Sequence, residues 1–358
     1  MVWVFQVNLK SQKDYNMEYR IHSISLHYAG NKALGEKLAL SSEPLVINEE
    51  MNMMLAEFFM NPFKVDEFFY FHHDEESHKN QVYEMVNEIF SGPECMHDQS
   101  LNLAKYLYEK SINPDINGGE FYTVYFKDIE MNGEPTDAVG LFKTENKENF
   151  LKISHKENHF NIDTEQGISL RKPDKGCLIF NIEKEEGYIV SVYDFTGKGA
   201  NSLHWIDEFL QLRQRQDEFF NTQNVLTMCK NFVTQELPQH FEVNRADQAD
   251  LLNKSVKFFK ENEQFSLDEF TGAVMKQEEI IDTFSQYRDT FQKENDIEIA
   301  NNFNISQSAV KRQAKIFKSV IKLDKNFHIY IHGNREMVEQ GLDERGRKYY
   351  KLYYENEN

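Results

Sequence analysis

Between residues 120 and 194 apolar side chains recur at every second position, and beyond residue 200 they recur at helical spacing to about residue 323. That change of period constrains the fold more than any other feature. Side chains alternate across a strand but return to one face of a helix every three or four residues. Alternating runs at 121–129, 138–143, 150–154, 167–171, 177–182 and 188–193 predict six strands. Asn132-Gly133, Asp174-Lys175-Gly176 and Glu185-Glu186-Gly187 are turn-forming separators. Connections this short join antiparallel neighbours, so an antiparallel meander with helices packed to one side is expected.

The flanks follow the same logic. Residues 2–9 and 20–28 alternate and predict strands, with Gly30-Asn31 as a turn. Residues 47–60 place Met51, Met54, Leu55 and Phe58 on one side of a helix, and further helices are predicted near 79–90 and 98–111. Pro114 and Gly118-Gly119 break that pattern. Past residue 200, helices are predicted at 203–213, 215–236, 244–262, 267–275, 277–294 and 306–323. A terminal pair of strands, 327–332 and 348–354, returns around Asp343-Glu344-Arg345-Gly346. The expected class is α+β: an N-terminal antiparallel sheet with packed helices, then a mostly helical region ending in a basic helix and a β-hairpin. No internal repeat or low-complexity linker marks a boundary. Composition divides the chain into 1–200, 201–300 and 301–358.

Charge is polarised along the chain. The total is −19, yet residues 301–358 carry +4, leaving −23 on residues 1–300. An acidic body with a basic end implies one polarised partner surface and argues against nucleic acid wrapped all round. Aromatic content of 13% with only seven prolines indicates a packed globular chain. Cys95, Cys177 and Cys229 are far apart and form no CxxC pair, which points to a reducing compartment and no structural zinc. The first residues lack a basic segment followed by an apolar core, and no apolar run approaches membrane-span length. A cytoplasmic protein without a membrane partner is expected.

The basic end has a pattern of its own. With Ser306 as N-cap, Val310, Ala314, Phe317 and Ile321 form one buried face of the predicted terminal helix. Lys311, Lys315, Lys318 and Lys322 repeat that spacing one position later, roughly 100° around the helix. Like charges at this spacing repel, and a phosphate backbone offsets that cost. Arg312, Lys325, Arg345, Arg347, Lys348 and Lys351 extend the patch if the final hairpin packs nearby. Each cation paired with a phosphate releases counterions. Tyr349, Tyr350, Tyr353 and Tyr354 interleave with these charges, which suits stacking on single-stranded bases or, alternatively, a strand packed on both faces. A solvated basic helix is the plainer reading of the lysines. A helix-turn-helix is also readable over 298–312, with Asn304 in the turn, Ile305 as the plug and Gln307, Ser308, Lys311 and Arg312 facing a groove. An ordinary helical corner competes with it.

In the order of its parts the chain resembles the bacterial nucleoid-associated protein family of about 37 kDa, in a longer form. The opening resembles Ile24-Ser-Leu-His27-Tyr-Ala-Gly-Asn31. The middle resembles Gly118-Gly-Glu-Phe-Tyr-Thr-Val-Tyr-Phe126, Pro173-Asp-Lys-Gly-Cys-Leu-Ile-Phe180 and the helix from Ala200 to Leu210. The end resembles the segment from Ser306 to Leu323 followed by Phe327-His-Ile-Tyr-Ile-His332. The resemblance implies association with the nucleoid and binding of DNA, without a known enzymatic activity; no cofactor is expected.

Three other clusters bear weighing. His72-His73-Asp74-Glu75-Glu76-Ser77-His78 holds metal-competent groups, but consecutive residues point in divergent directions and no HxxxH or HExxH spacing occurs. A solvated loop is the better reading. Thr196-Gly197-Lys198-Gly199-Ala200-Asn201 precedes a helix and would suit an anion, without P-loop spacing. Glu120, Asp128, Glu130 and Asp137 lie on or near strands, and Glu120 with Asp128 would hold Mg²⁺ in a nuclease. The expected function is therefore a nucleoid-associated, DNA-binding, non-enzymatic protein. Its contacts would be non-specific, with single-stranded nucleic acid as an option. The alternatives are an acidic protein-interaction module recruited to the nucleoid by a partner, and a metal-dependent nuclease.

Overall fold

Most of the alternating runs predicted between residues 20 and 193 are strands, while the strand predicted at 2–9 lies outside the described residues. The computed structural model describes residues 19–63, 67–72, 80–131, 134–156, 159–194, 204–314, 320–324, 326–330 and 337–356. It divides into two units, Met1–Lys64 with Phe68–Arg215, and Val65–Glu67 with Gln216–Asn358.

The first unit contains β1 (Arg20–Ala29), β2 (Leu38–Ala39), β3 (Phe68–Phe71), β4 (Gly119–Met131), β5 (Glu134–Thr144), β6 (Glu148–Lys156), β7 (His159–Gly167), β8 (Lys175–Phe180), β9 (Ile189–Asp194) and β10 (Leu212–Gln214). Eight of them form one antiparallel sheet in the order β10-β3-β9-β8-β5-β4-β1-β2, while β6 and β7 pair as a separate ribbon. β7 corrects the sequence reading, which placed a strand at 167–171. The segment His-Phe-Asn-Ile-Asp-Thr-Glu-Gln has too few apolar residues to signal one.

Helices cover both faces of the sheet, not one. The central run Phe121-Tyr-Thr-Val-Tyr-Phe126 is buried on either side, and a strand that is apolar on both sides needs two covers. On one face α2 (Gln81–Ser91), α3 (Met96–Lys110) and a π-helical turn (His204–Leu210) pack Val82, Leu103, Leu107, Trp205 and Phe209 against Phe121, Tyr125, Leu141 and Val190. On the other, α1 (Glu49–Met60) packs Phe58 and Phe59 against Tyr122, Phe126 and Phe142. Asn48 and Asn80 start α1 and α2 by accepting the N–H groups of Met51 and Tyr83.

The second unit is helical. α4 (Glu218–Asn231) widens into a π-helical turn at Phe232–Glu236. Then come α5 (Arg245–Glu261), β11 (Gln264–Ser266), α6 (Leu267–Val274), α7 (Glu278–Asn295), β12 (Asn302–Asn304) and α8 (Gln307–Ala314). Asn244 and Asp247 close a reciprocal capping box at the start of α5. The core is built on phenylalanine: Phe232, Phe259, Phe265, Phe270 and Phe284 are buried together, with Phe259 stacked on Phe265 at 5.3 Å.

Three expectations for the basic end are corrected. The predicted terminal helix does not reach residue 323, because β13 (Val320–Leu323) is a strand paired with β14 (Phe327–Tyr330). Consecutive β-branched Val320 and Ile321 favour extended backbone. The predicted pair 327–332 and 348–354 is not one hairpin either. β16 (Lys348–Leu352) pairs with β15 (Val338–Leu342). The helix-turn-helix reading also fails, since Ile299 and Ala300 follow the end of α7, and Asn304 lies in β12, paired to β11.

Candidate nucleic-acid interface

The basic segment is presented by α8 and the two hairpins. Ser306 Oγ accepts the Ala309 N–H at 3.3 Å and starts α8. Ala309, Val310 and Gln313 face inward, leaving Lys311 and Arg312 exposed. The Arg312 guanidinium pairs with the Glu67 carboxylate and lies 5.8 Å from the Phe219 ring centre.

The hairpins share a small apolar cluster. Leu323, Ile329, Val338 and Tyr350 pack with Ala246 and Ala249 of α5. Strand alternation then fixes the opposite faces. On β14, His328 and Tyr330 are exposed, and the register sets His328 opposite Lys322. On the second hairpin Glu339, Gly341, Tyr349 and Lys351 share a face, with Glu339 opposite Lys351 and Gly341 opposite Tyr349. Tyr349 lies over Gly341, where a Cβ would come within 2.5 Å of the ring. The Tyr353 hydroxyl donates to Glu339 at 2.6 Å, Lys351 Nζ stands 3.6 Å from the same carboxylate, and its ammonium is 5.1 Å from the Tyr353 ring centre. The Tyr353 hydrogen bond, then the Lys351 charge, hold the Glu339 carboxyl below its usual range.

The connecting turn is organised by Asp343. Its carboxylate accepts the backbone N–H groups of Arg345 at 2.9 Å and Arg347 at 2.8 Å, and the Arg347 Nε at 2.7 Å. Gly346 takes a positive φ of 75°, the conformation glycine adopts without strain. The Arg347 donors hold the Asp343 carboxyl below its usual range.

The ten cations singled out by sequence therefore separate into groups. Lys311, Arg345 and Lys348 are exposed and have no ion pair among the described residues. Arg312, Arg347 and Lys351 are each paired to a carboxylate. Lys322 sits on β13 and not on a helix, and Lys315, Lys318 and Lys325 lie outside the described residues. Sequence reasoning missed Glu67 and Glu339 as partners. Nothing local could reveal the first, which lies 245 residues from Arg312.

Of the other candidate clusters, the Glu120–Asp128 pair is not brought together. Glu120 pairs with Lys147 at 2.8 Å and accepts from Thr144. Asp128 lies eight positions along β4 at a bulge with φ of 54°, roughly 26 Å away at strand spacing. Among the described residues no three His, Cys, Asp or Glu side chains are grouped to hold a metal. His73 through His78 and the 196–201 segment lie outside the described residues. All three cysteines are free, and burial pushes the Cys177 and Cys229 thiols up. No helix among the described residues is long and apolar enough to cross a membrane.

A family model described as Nucleoid-associated protein YejK matches residues 21–345. The match runs from β1 to the Asp343 turn and takes in parts of both units. No curated protein matches the chain at a significant level.

Proposed function

Because the chain belongs to the nucleoid-associated protein YejK family, we propose that it binds DNA directly, without catalysing a reaction on it, through cations of its second unit. The reading rests on Lys311, Arg345 and Lys348, which stand exposed and without carboxylate partners among the described residues. They belong to a segment carrying +4 in a chain whose remainder carries −23. Cations that touch phosphates fix affinity and its salt dependence without reading bases. Binding is therefore non-specific and salt-sensitive. Tyr330, Tyr349, Tyr353 and Tyr354 are exposed on or just after strands of the two hairpins and offer rings to unstacked bases.

Fluorescence anisotropy with labelled duplex DNA across a salt series tests the reading. The native chain binds at low salt and releases as salt rises. Converting Lys311, Arg345 and Lys348 to Glu abolishes binding with circular dichroism unchanged, and retained binding removes this face. Intact plasmid after incubation with Mg²⁺ or Mn²⁺ is the expected result of a non-catalytic protein.

A second reading is recruitment by a protein partner through the acidic body. It is favoured by the pairing of Arg312, Arg347 and Lys351 with neighbouring carboxylates, which reduces the cations available to phosphate. Absence of any anisotropy change with the purified native chain at low salt would select it.

A further inference from the structure

Two bulges lie side by side on neighbouring strands of the first unit. The β1–β4 register steps from Ile21 opposite Phe126 to Ser23 opposite Tyr125, so His22 has no partner. On β4, Lys127 and Asp128 together oppose Asp137 of β5, between the Phe126–Ala138 and Ile129–Thr136 pairs. The Asp137 carboxylate pins this second bulge, accepting the Asp128 N–H at 3.3 Å and the Tyr125 hydroxyl at 2.6 Å. Bulges re-aim side chains. Here His22, Ser23 and Lys127 line both of two adjoining cavities, of about 880 and 460 Å³, sizes that suit small molecules.

Ser23 Oγ and His97 Nε2 are buried and have no hydrogen-bond partner among the described residues, and both residues line the smaller cavity. Ser25 Oγ lies 2.8 Å from His97 Nδ1 and 3.8 Å from the Met96 sulfur. The nitrogen is nearer and the stronger acceptor, so Ser25 donates to Nδ1 and the ring proton sits on Nε2. Two buried donors therefore stand with the exposed Lys127 ammonium and His22 imidazole. Pro44, Pro93 and Met96 give the same cavity an apolar side, and Glu94 is its one carboxylate among the described residues. Glu49 and Asp128 belong to the larger cavity, where Glu49 faces Arg20 at 3.5 Å.

We propose that the smaller cavity binds a phosphomonoester with a flat apolar body. A buried donor left unmade costs stability, and one anion satisfies both donors with charge-assisted bonds. A terminal phosphate brings several acceptor oxygens and about two negative charges, which suits this donor set better than the single charge of a carboxylate. The body lies against Pro44, Pro93 and Met96. Because the donors lie inside a cavity, a terminal phosphate reaches them more readily than one within a duplex.

Equilibrium dialysis of the full chain against labelled AMP tests the proposal. The native chain binds AMP, inorganic phosphate displaces it only at higher concentration, and adenosine competes far less. Ser23→Ala weakens binding about tenfold or more, the range for a hydrogen bond to a charged group. The urea midpoint stays unchanged in that variant, because the hydroxyl has no partner to lose among the described residues. Lys127→Gln weakens binding roughly two- to fivefold. Lys37→Gln, which removes an exposed charge outside both cavities, has no effect. Reversing the charges of Lys311, Arg345 and Lys348 leaves AMP binding intact, which separates this site from the DNA face. Failure to bind AMP overturns the proposal, as does a Ser23→Ala chain that binds as tightly as the native one. A fall in the urea midpoint that accounts for the lost binding makes Ser23 structural and overturns its place in the site. Adenosine competing as well as AMP overturns the role of the phosphate, and displacement of AMP by a short DNA duplex overturns the small-molecule occupant.

Discussion

Lys175 Nζ lies 2.9 Å from Glu145 Oε1, and both side chains are wholly buried. Lys143 reaches the same oxygen at 3.0 Å and donates to the Asn117 carbonyl at 2.6 Å. The two lysines are cross-strand neighbours on β5 and β8, so the carboxylate sits between ammonium groups that would otherwise repel. Burial pulls the Lys143 pKa down and the Glu145 charge opposes that pull. Glu145→Gln keeps the shape and removes the charge. Breaking a buried pair costs about 3–5 kcal/mol, read as a lower urea midpoint. Lys175→Met leaves the Lys143–Glu145 pair standing and should cost less. Equal losses in the two variants would mean that the shared carboxylate does not couple the lysines.

Two buried imidazoles make stability depend on mild acid. His27 Nδ1 accepts the Ser41 N–H at 3.1 Å, so its proton sits on Nε2 and is donated to Ser100 Oγ at 2.8 Å. Ser100 in turn donates to the His97 carbonyl at 2.6 Å. Burial, and then the His97 charge, lower the His27 pKa from 6.5 to about 4. Burial, and then Lys143 and Lys175, lower that of His204 to about 3. Both rings stay neutral in the native state and take up protons on unfolding, so the unfolded chain binds more protons below pH 6.5. Stability is fully present above that pH and is lost as pH falls towards 4. The denaturation midpoint should be flat above neutrality and decline from pH 6.5 downward. His204→Leu should shallow the decline, because it removes the ring whose pKa burial lowers furthest. An unchanged slope in that variant would remove His204 from the account.

The parts of the fold that were legible in sequence are those where one local signal dominates. The doubly apolar run at 121–126 marks a central strand, and Asn244 with Asp247 marks a helix start. Failures came where two signals compete. The lysines at 311, 315, 318 and 322 keep a helical interval through residues that the β-branched Val320-Ile321 pair makes extended. β7 is polar on one face and carries only Phe160 and Ile162 on the other, too little for an alternation count. For the candidate site, the residue types were readable but their charge state was not. Lys351 is balanced by Glu339 across a strand pair and Arg312 by Glu67 from far upstream. Glu145 looks like a turn carboxylate after β5, and nothing near it in sequence announces that both of its lysines are buried.

Gly187 makes a close approach that an added methyl group cannot share. Its φ is +99°, and a Cβ there would lie 2.4 Å from the Phe71 carbonyl oxygen. Its own carbonyl accepts the Phe71 N–H at 2.9 Å, tying the start of β9 to the end of β3. Gly187→Ala must strain the backbone and displace a rigid neighbour, for roughly 1–3 kcal/mol or more. Gly35 is the control, with φ of +71° and nothing within 4 Å of the place a methyl group would take. Gly35→Ala should lower the thermal midpoint less than Gly187→Ala. The reverse order would show that the close approach to Phe71 carries little of the fold's stability.

The paired and unpaired cations of the second unit should behave differently on DNA. Removing one cation–phosphate pair reduces the slope of log affinity against log salt by about 0.9. Lys311→Ala, Arg345→Ala and Lys348→Ala should each lower the slope by close to that amount if each side chain meets one phosphate. Arg347→Ala should lower it less, because the Arg347 guanidinium must first leave Asp343. Glu339 supplies the sharper test. Its carboxylate holds both the Lys351 ammonium and the Tyr353 hydroxyl on one exposed face. Glu339→Gln removes a negative charge and releases Lys351, so affinity should rise roughly two- to fivefold, the range set by an exposed ion pair. A second substitution, Lys351→Ala, should cancel the gain. No change in affinity for Glu339→Gln would place the β15–β16 face outside the interface and leave α8 and the turn at Arg345 to bear it.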